Sequence, residues 1–321
     1  MALRLLLRIG VFLALVLAIC AAIFYGVPGN KKAYLAALND KQARIDSLEA
    51  DATPDLVLIG GSNVAFGINT RSLSDTFGMP AVNMALHAGL RYEYMIKQVM
   101  AYPTEGDVFL IFPEFSQLYE PLSTGTPIIY QSLEVYPRGY VFCHADNVYQ
   151  KSRLRATAFA EIVQLKVKRT LGRMIGMSEK NAYQRSVFNH YGDIWTDVTL
   201  TSRYRSDDKH MDRNAGKNPS DDFIRLTNEF AAKAKANGAR VLLIYPAIAE
   251  AKWDGDVAST VNAYLAEHLV DVTIVNDPAE YVYPNELYFD TKYHTTQAGR
   301  ERRTAQTISD LRPYLLPVSG Q

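Results

Sequence analysis

With 321 residues, 48% of them hydrophobic and 21% charged, the chain has the apolar content of a folded protein and not of a disordered one. Its 34 Lys and Arg balance 34 Asp and Glu, so no net field exists to hold a phosphate backbone and no nucleic-acid partner is expected. Two cysteines, Cys20 and Cys143, are too few for a disulfide scaffold or a Cys-rich zinc site, and the absence of a fixed-period repeat sets aside solenoids and propellers.

At the N-terminus, Arg4 and Arg8 precede an uncharged apolar run over 9–27 that is long enough to cross a bilayer. Basic residues ahead of the run place the N-terminus in the cytoplasm and the rest of the chain outside it, which in a Gram-negative cell is the periplasm. A cleaved signal peptide is the alternative, but its apolar core would be shorter. Here the run extends through Phe24 and Tyr25, an aromatic pair suited to the far interface, so residues 1–30 read as an uncleaved single-pass anchor. A lipoprotein signal ending at Cys20 is disfavoured by Ile19, where a small residue is needed. Residues 31–53 are charged and helix-favouring and read as a stalk helix.

The segment 54–321 alternates short continuous apolar runs with helix-length segments. Runs at 56–60, 108–112, 241–245 and 272–275 have the profile of buried parallel strands. Between them lie helical segments at 92–102, 221–237 and 257–269. In the second of these, Phe223, Leu226, Phe230 and Ala234 follow helical spacing and Gly238 stands where a left-handed C-terminal residue is wanted. The alternation predicts an α/β domain with a doubly wound, mostly parallel sheet. Over 116–219 it stops, which predicts a large helical insertion. Its stretch 151–172 reads as a basic amphipathic helix or helix pair, either a solvated face or a contact for anionic head groups or an anionic glycan. The insertion's Tyr119, Tyr130, Tyr136, Tyr140 and Trp195 suit sugar stacking in a lid over the site, or an ordinary aromatic mini-core.

Ser62 follows the first strand after Gly60-Gly61, where a tight turn presents its hydroxyl at the carboxyl end of the sheet, the edge at which ligands gather. A serine hydroxyl needs a base, normally a histidine oriented by a carboxylate. Of six histidines, His294 lies in a loop that leads into the terminal helix and has Asp290 four residues before it. His87 is the rival base, and His87 and Glu114 are candidate substrate contacts. His144, His190 and His210 fit no compact metal motif, so neither a metal nor a cofactor is expected.

Gly60-Gly61-Ser62-Asn63-Val64 lacks the last glycine of an α/β-hydrolase elbow. Taken with Asp290 and His294 near the C-terminus, Gly61-Ser62-Asn63 resembles the first block of the SGNH (GDSL-like) hydrolase superfamily, and 81–89, ending in Gly89, resembles its second. The chain departs from that pattern in having Pro113-Glu114 where the third block supplies an asparagine, and in spacing Asp290 and His294 by four positions instead of three. The resemblance implies a flavodoxin-like three-layer sandwich and a triad of Ser62, His294 and Asp290. It further implies an oxyanion hole from the N–H groups of Ser62 and Gly89, with Asn63 as a further donor. The anchor and the insertion are similar to the superfamily's branch that modifies cell-envelope polymers, including the D-alanyl transfer protein of lipoteichoic acid and exopolysaccharide O-acetylation proteins. That branch implies an esterase or O-acyltransferase working beside a membrane-bound O-acyltransferase on a polysaccharide or other envelope polymer. The alternatives are a catalytically degenerate scaffold of a polysaccharide export or modification complex, and a lipid esterase at the membrane surface.

Overall fold

The computed structural model describes residues 2–51, 53–122, 125–175, 183–194, 204 and 217–316. The apolar N-terminal run forms α1 (Ala2–Gly26), 25 residues without a buried side chain and apolar enough to cross a membrane. After it, α2 (Ala37–Glu49) leads into β1 (Leu56–Gly60), α3 (Ser62–Gly67), α4 (Thr70–Phe77), β2 (Ala81–Asn83), α5 (Tyr92–Val99) and β3 (Val108–Phe112). The insertion then contributes α6 (Pro127–Val135) and α7 (Val148–Met174). The alternation resumes with α8 (Asp221–Ala236), β4 (Arg240–Leu243), β5 (Ile248–Ala249), α9 (Gly255–His268), β6 (Val272–Ile274), β7 (Val282–Tyr283) and α10 (Gln297–Leu315).

Five strands pair in parallel in the order β2-β1-β3-β4-β6, while β5 and β7 form a separate parallel pair. Both faces of the central strands are covered, which is why β1 and β3 read as unbroken apolar runs: all five residues of each are buried. Alternate side chains serve two cores. Val57, Ile59, Phe109 and Ile111 pack with α5, α8 and α9 on one face, and Leu56, Leu58, Leu110 and Phe112 pack with α4 and α10 on the other. The result is an α/β/α arrangement in which the chain reverses direction across the sheet between β1 and β3, the position where open parallel sheets leave a crevice at their carboxyl ends. The α8 helix ends as its sequence requires, with Gly238 at φ +78°.

One segment differs from the expectations. Residues 31–53 are not a free stalk: α2 packs on the domain and buries Leu38, Ile45 and Leu48 together with Lys41 and Gln42. Lys41 reads as a surface charge, yet its Nζ donates to the Asn83 and Gly192 carbonyls at 2.6 and 2.5 Å, which meets its hydrogen-bonding need inside the fold. The basic stretch of the insertion is one continuous helix, α7, and it packs against the end of α1. Of the aromatics expected to line a lid, Tyr136 is buried in the core, and Tyr119, Tyr130 and Tyr140 lie against it. Trp195 and His210 lie outside the described residues.

Asp55 carries a pH dependence built into the start of β1. Its N–H donates to Asp107 Oδ1 at 2.8 Å, and burial first, then the Asp107 charge, pushes its own carboxyl up to about 7. The folded state therefore holds this proton where the unfolded chain has lost it. The contribution to stability is full below about pH 4 and lost as pH rises through 7. Asp55→Asn is expected to flatten the fall in Tm between pH 4 and 7 in thermal denaturation; an unchanged slope would contradict this origin.

Candidate active site

Because β1, β2 and β3 are parallel neighbours, the residues that follow them share one edge of the sheet. Ser62 follows β1, His87 and Gly89 follow β2, and Glu114 follows β3. Gly60 and Gly61 make the approach possible. A Cβ on Gly60 would lie 2.9 Å from the Phe112 carbonyl oxygen, and one on Gly61 would lie 2.7 Å from Glu114 Oε1. Ser62 is thereby placed as the first residue of α3, half-buried, and its N–H makes no hydrogen bond to a described residue.

His294 arrives from the opposite end of the chain, in a tight loop before α10. The Phe289 N–H donates to the His294 carbonyl at 2.7 Å, and Thr291 Oγ1 accepts the N–H groups of Tyr293 and His294. This turn absorbs the extra residue between Asp290 and His294. The imidazole is buried, stacked on the Phe66 ring at 4.1 Å and 9°. Its Nε2 lies 2.7 Å from Ser62 Oγ and its Nδ1 lies 2.8 Å from Asp290 Oδ1. Ser62, His294 and Asp290 are thus brought into one hydrogen-bonded line from positions 232 residues apart. Burial raises the Asp290 pKa, but hydrogen bonds from His294 and from the Tyr183 hydroxyl outweigh it and hold the carboxyl below its ordinary value. Asp290 is therefore a carboxylate at neutral pH, the form that orients an Nδ1–H imidazole and supports its positive charge.

The expected oxyanion hole is only partly formed. The Gly89 N–H is not free: it donates to His87 Nδ1 at 2.9 Å. A backbone donor in a short 3-10 turn needs an acceptor, and the ring two residues before it supplies one. Asn63 is fully buried with its side chain turned away from the cleft, its Nδ2 donating to the Phe112 carbonyl at 3.2 Å, while its own N–H is held by the Glu114 carboxyl. Neither Gly89 nor Asn63 offers an unpaired N–H in this structure, which leaves Ser62 N–H. His87 is likewise not arranged as a base, since Nδ1 is taken as an acceptor and burial, then the His294 charge, lowers its pKa. Glu114 is 6% exposed and sits behind Gly61, so it braces the turn and does not line an open cleft. Burial raises its pKa against the pull of His294 and the Asn63 N–H.

Three neighbours of the site carry no sequence signal of their own. Arg303, fully buried in α10, donates from Nη1 to the Asn63 carbonyl at 2.6 Å and lies over the Phe112 ring, so it holds the serine turn from beneath. Phe66 sets the plane of the imidazole. Tyr183 comes from the insertion to Asp290, and the same insertion places Ile128 against Gly89 and donates Thr126 Oγ1 to the Gly89 carbonyl at 2.7 Å. Tyr183→Phe removes a hydrogen bond that holds the Asp290 carboxyl down and is expected to move the acid limb of the kcat/KM profile for an acyl ester upward. An unmoved limb would mean that the Tyr183 bond does not govern Asp290.

The chain matches no described protein family, and no curated protein is significantly similar to it. What the geometry defines is a parallel α/β sheet with a serine, a histidine and an aspartate in one hydrogen-bonded line at its carboxyl edge.

Proposed function

We propose that this protein is a membrane-anchored, extracytoplasmic serine acyl-esterase or O-acyltransferase of the SGNH kind that acts on a cell-envelope polymer. The observation that carries the reading is the line Ser62 Oγ, His294 Nε2 and Nδ1, Asp290 Oδ1, with contacts of 2.7 and 2.8 Å, at the carboxyl edge of a parallel sheet. The apolar helix α1 supports the membrane attachment.

In this reading Ser62 Oγ attacks the acyl carbonyl carbon while His294 Nε2 takes the hydroxyl proton, and Asp290 stabilises the imidazolium that forms. The carbonyl oxygen becomes an oxyanion beside the Ser62 N–H. The Gly89 N–H joins it when the neutral His87 ring gives it up, because an oxyanion is a stronger acceptor than an imidazole nitrogen. Collapse of the tetrahedral adduct breaks the bond to the leaving alkoxide, which takes the proton from His294, and leaves an acyl ester on Ser62. An acceptor hydroxyl then repeats the sequence in reverse: water gives an esterase and a sugar hydroxyl gives a transferase. No cofactor enters. A membrane-bound O-acyltransferase is the proposed partner that delivers the acyl group across the membrane, with a polysaccharide or other envelope polymer as acceptor or donor.

The test uses the full chain in detergent or lipid, with acetate release from a small acetyl ester and acetyl exchange on an O-acetylated polysaccharide as the two readouts. Activity in the wild type that is lost in Ser62→Ala is expected. Equal rates in the two would overturn the reading and favour a scaffold role.

A further inference from the structure

The longest helix of the insertion has two apolar faces, and the fold uses only one. On one side α7 buries Leu154, Ala158 and Ile162 in the core. On the opposite side a second stripe runs through Tyr149, Ala156, Ala160, Val163, Val167, Leu171 and Met174, at intervals of seven, four, three, four, four and three residues that keep one face of a helix. Val163 at its middle is half-buried, and the rest of the stripe is open: Tyr149 is 73% exposed, Leu171 56% and Met174 78%.

The same helix is joined to the end of the apolar anchor. The Phe24 ring packs on Phe159 with centroids 4.9 Å apart, Lys166 Nζ donates to the Phe24 carbonyl at 2.5 Å, and Arg169 Nη2 donates to the Pro28 carbonyl at 3.0 Å. Where α1 ends, the middle of α7 is therefore held against it. Charge agrees with this placement. Seven basic residues and one acid, Glu161, lie in α7, and the exposed Lys151, Arg153, Arg155, Lys168 and Arg173 form no ion pair with the described residues. A groove of about 620 Å³ at this helix is lined by Lys32, Lys168 and Arg173 together with the Arg169–Glu134 ion pair.

We infer that α7 is a second membrane-contact element, lying in the outer interface of an anionic bilayer with its Tyr149-to-Met174 stripe at the boundary between head groups and acyl chains and its basic flanks among the lipid phosphates. Amphipathic basic helices occupy this zone because it accepts an apolar face and a cationic rim together. The inference rests on the anchored reading of α1. Its consequence for function is geometric: two attachments fix the height and tilt of the domain, so the Ser62 cleft meets a polymer or a membrane partner at a set distance from the bilayer surface.

The experiment places spin labels on the full chain, in a Cys20→Ala background with Cys143 buried in the core, in nanodiscs of phosphatidylcholine and phosphatidylglycerol at 3:1. Labels on Leu171→Cys and Tyr149→Cys report α7, on Leu13→Cys the middle of α1, and on Ser259→Cys the exposed face of α9. Relaxation by oxygen relative to a water-soluble nickel chelate gives the depth of each. Leu13 deep, Leu171 and Tyr149 at interface depth and Ser259 in water is the expected result. Leu13 deep with Leu171 and Tyr149 as accessible to nickel as Ser259 would overturn the inference while leaving the anchor intact. Leu13 in water would overturn the anchored reading and the inference with it, and dipolar broadening between water-exposed Leu171 labels would assign the stripe to a second copy of the chain instead.

Discussion

His294→Ala is expected to lower acyl-ester turnover by about 10²- to 10⁴-fold, the range for losing a general base, in a chain that still folds. The ring is held by Phe66 and by the two flanking hydrogen bonds, but the loop that carries it is closed by backbone groups and by Thr291, which the substitution leaves in place. Asp290→Asn is expected to do comparable damage, about 10⁴-fold in kcat, because an amide at that position can favour the imidazole tautomer with the proton on the wrong nitrogen. His87→Ala is the control. Its Nδ1 only accepts the Gly89 N–H, so its loss frees an oxyanion donor and does not remove a base. Equal losses in His87→Ala with His294→Ala harmless would assign the base to His87.

The largest effect on stability is expected at Arg303. Arg303→Ala empties a fully buried site among Phe112, Tyr281, Tyr283 and Tyr288 and leaves the Asn63 carbonyl without its donor, at a cost of about 3 kcal/mol or more. Arg303→Met separates the two contributions. It refills most of the volume and removes a buried guanidinium whose Nε and Nη2 have no hydrogen-bond partner among the described residues, so its stability is expected to stay near wild type. The Asn63 carbonyl still loses its hydrogen bond in that variant, which loosens the turn under Ser62, so turnover is expected to fall further than stability does. Denaturant midpoints and kcat measured on both variants check this; an alanine variant within 0.5 kcal/mol of wild type would contradict it.

What the sequence conveys follows from how local each feature is. The strands are legible because both faces of β1 and β3 are buried and their side chains are apolar without interruption. The α8 helix is legible from the spacing of Phe223, Leu226, Phe230 and Ala234 and from the stop at Gly238. Ser62, Asp290 and His294 stand out by residue type and by place, and the fold brings them within hydrogen-bonding distance. The oxyanion donors are different in kind. Whether the Gly89 N–H is free depends on the rotamer of His87 and the closure of one 3-10 turn, and nothing in 81–89 encodes that separately. Buried polar residues mislead for a related reason. Lys41 in α2 and Arg303 in α10 sit among other charges, so their helices read as solvated, yet each side chain reaches a backbone carbonyl in the interior. Tyr183 is illegible because its partner, Asp290, is 107 residues away.

A serine-directed fluorophosphonate tests the central claim most directly, since it reports an activated hydroxyl without requiring knowledge of the natural acyl group or polymer. Rapid, single-site labelling of the full chain is expected, located by mass spectrometry on the peptide that carries Ser62, abolished in Ser62→Ala and slowed at least about 10²-fold in His294→Ala. Absence of labelling in the folded wild type, or labelling that persists unchanged in Ser62→Ala, would contradict it.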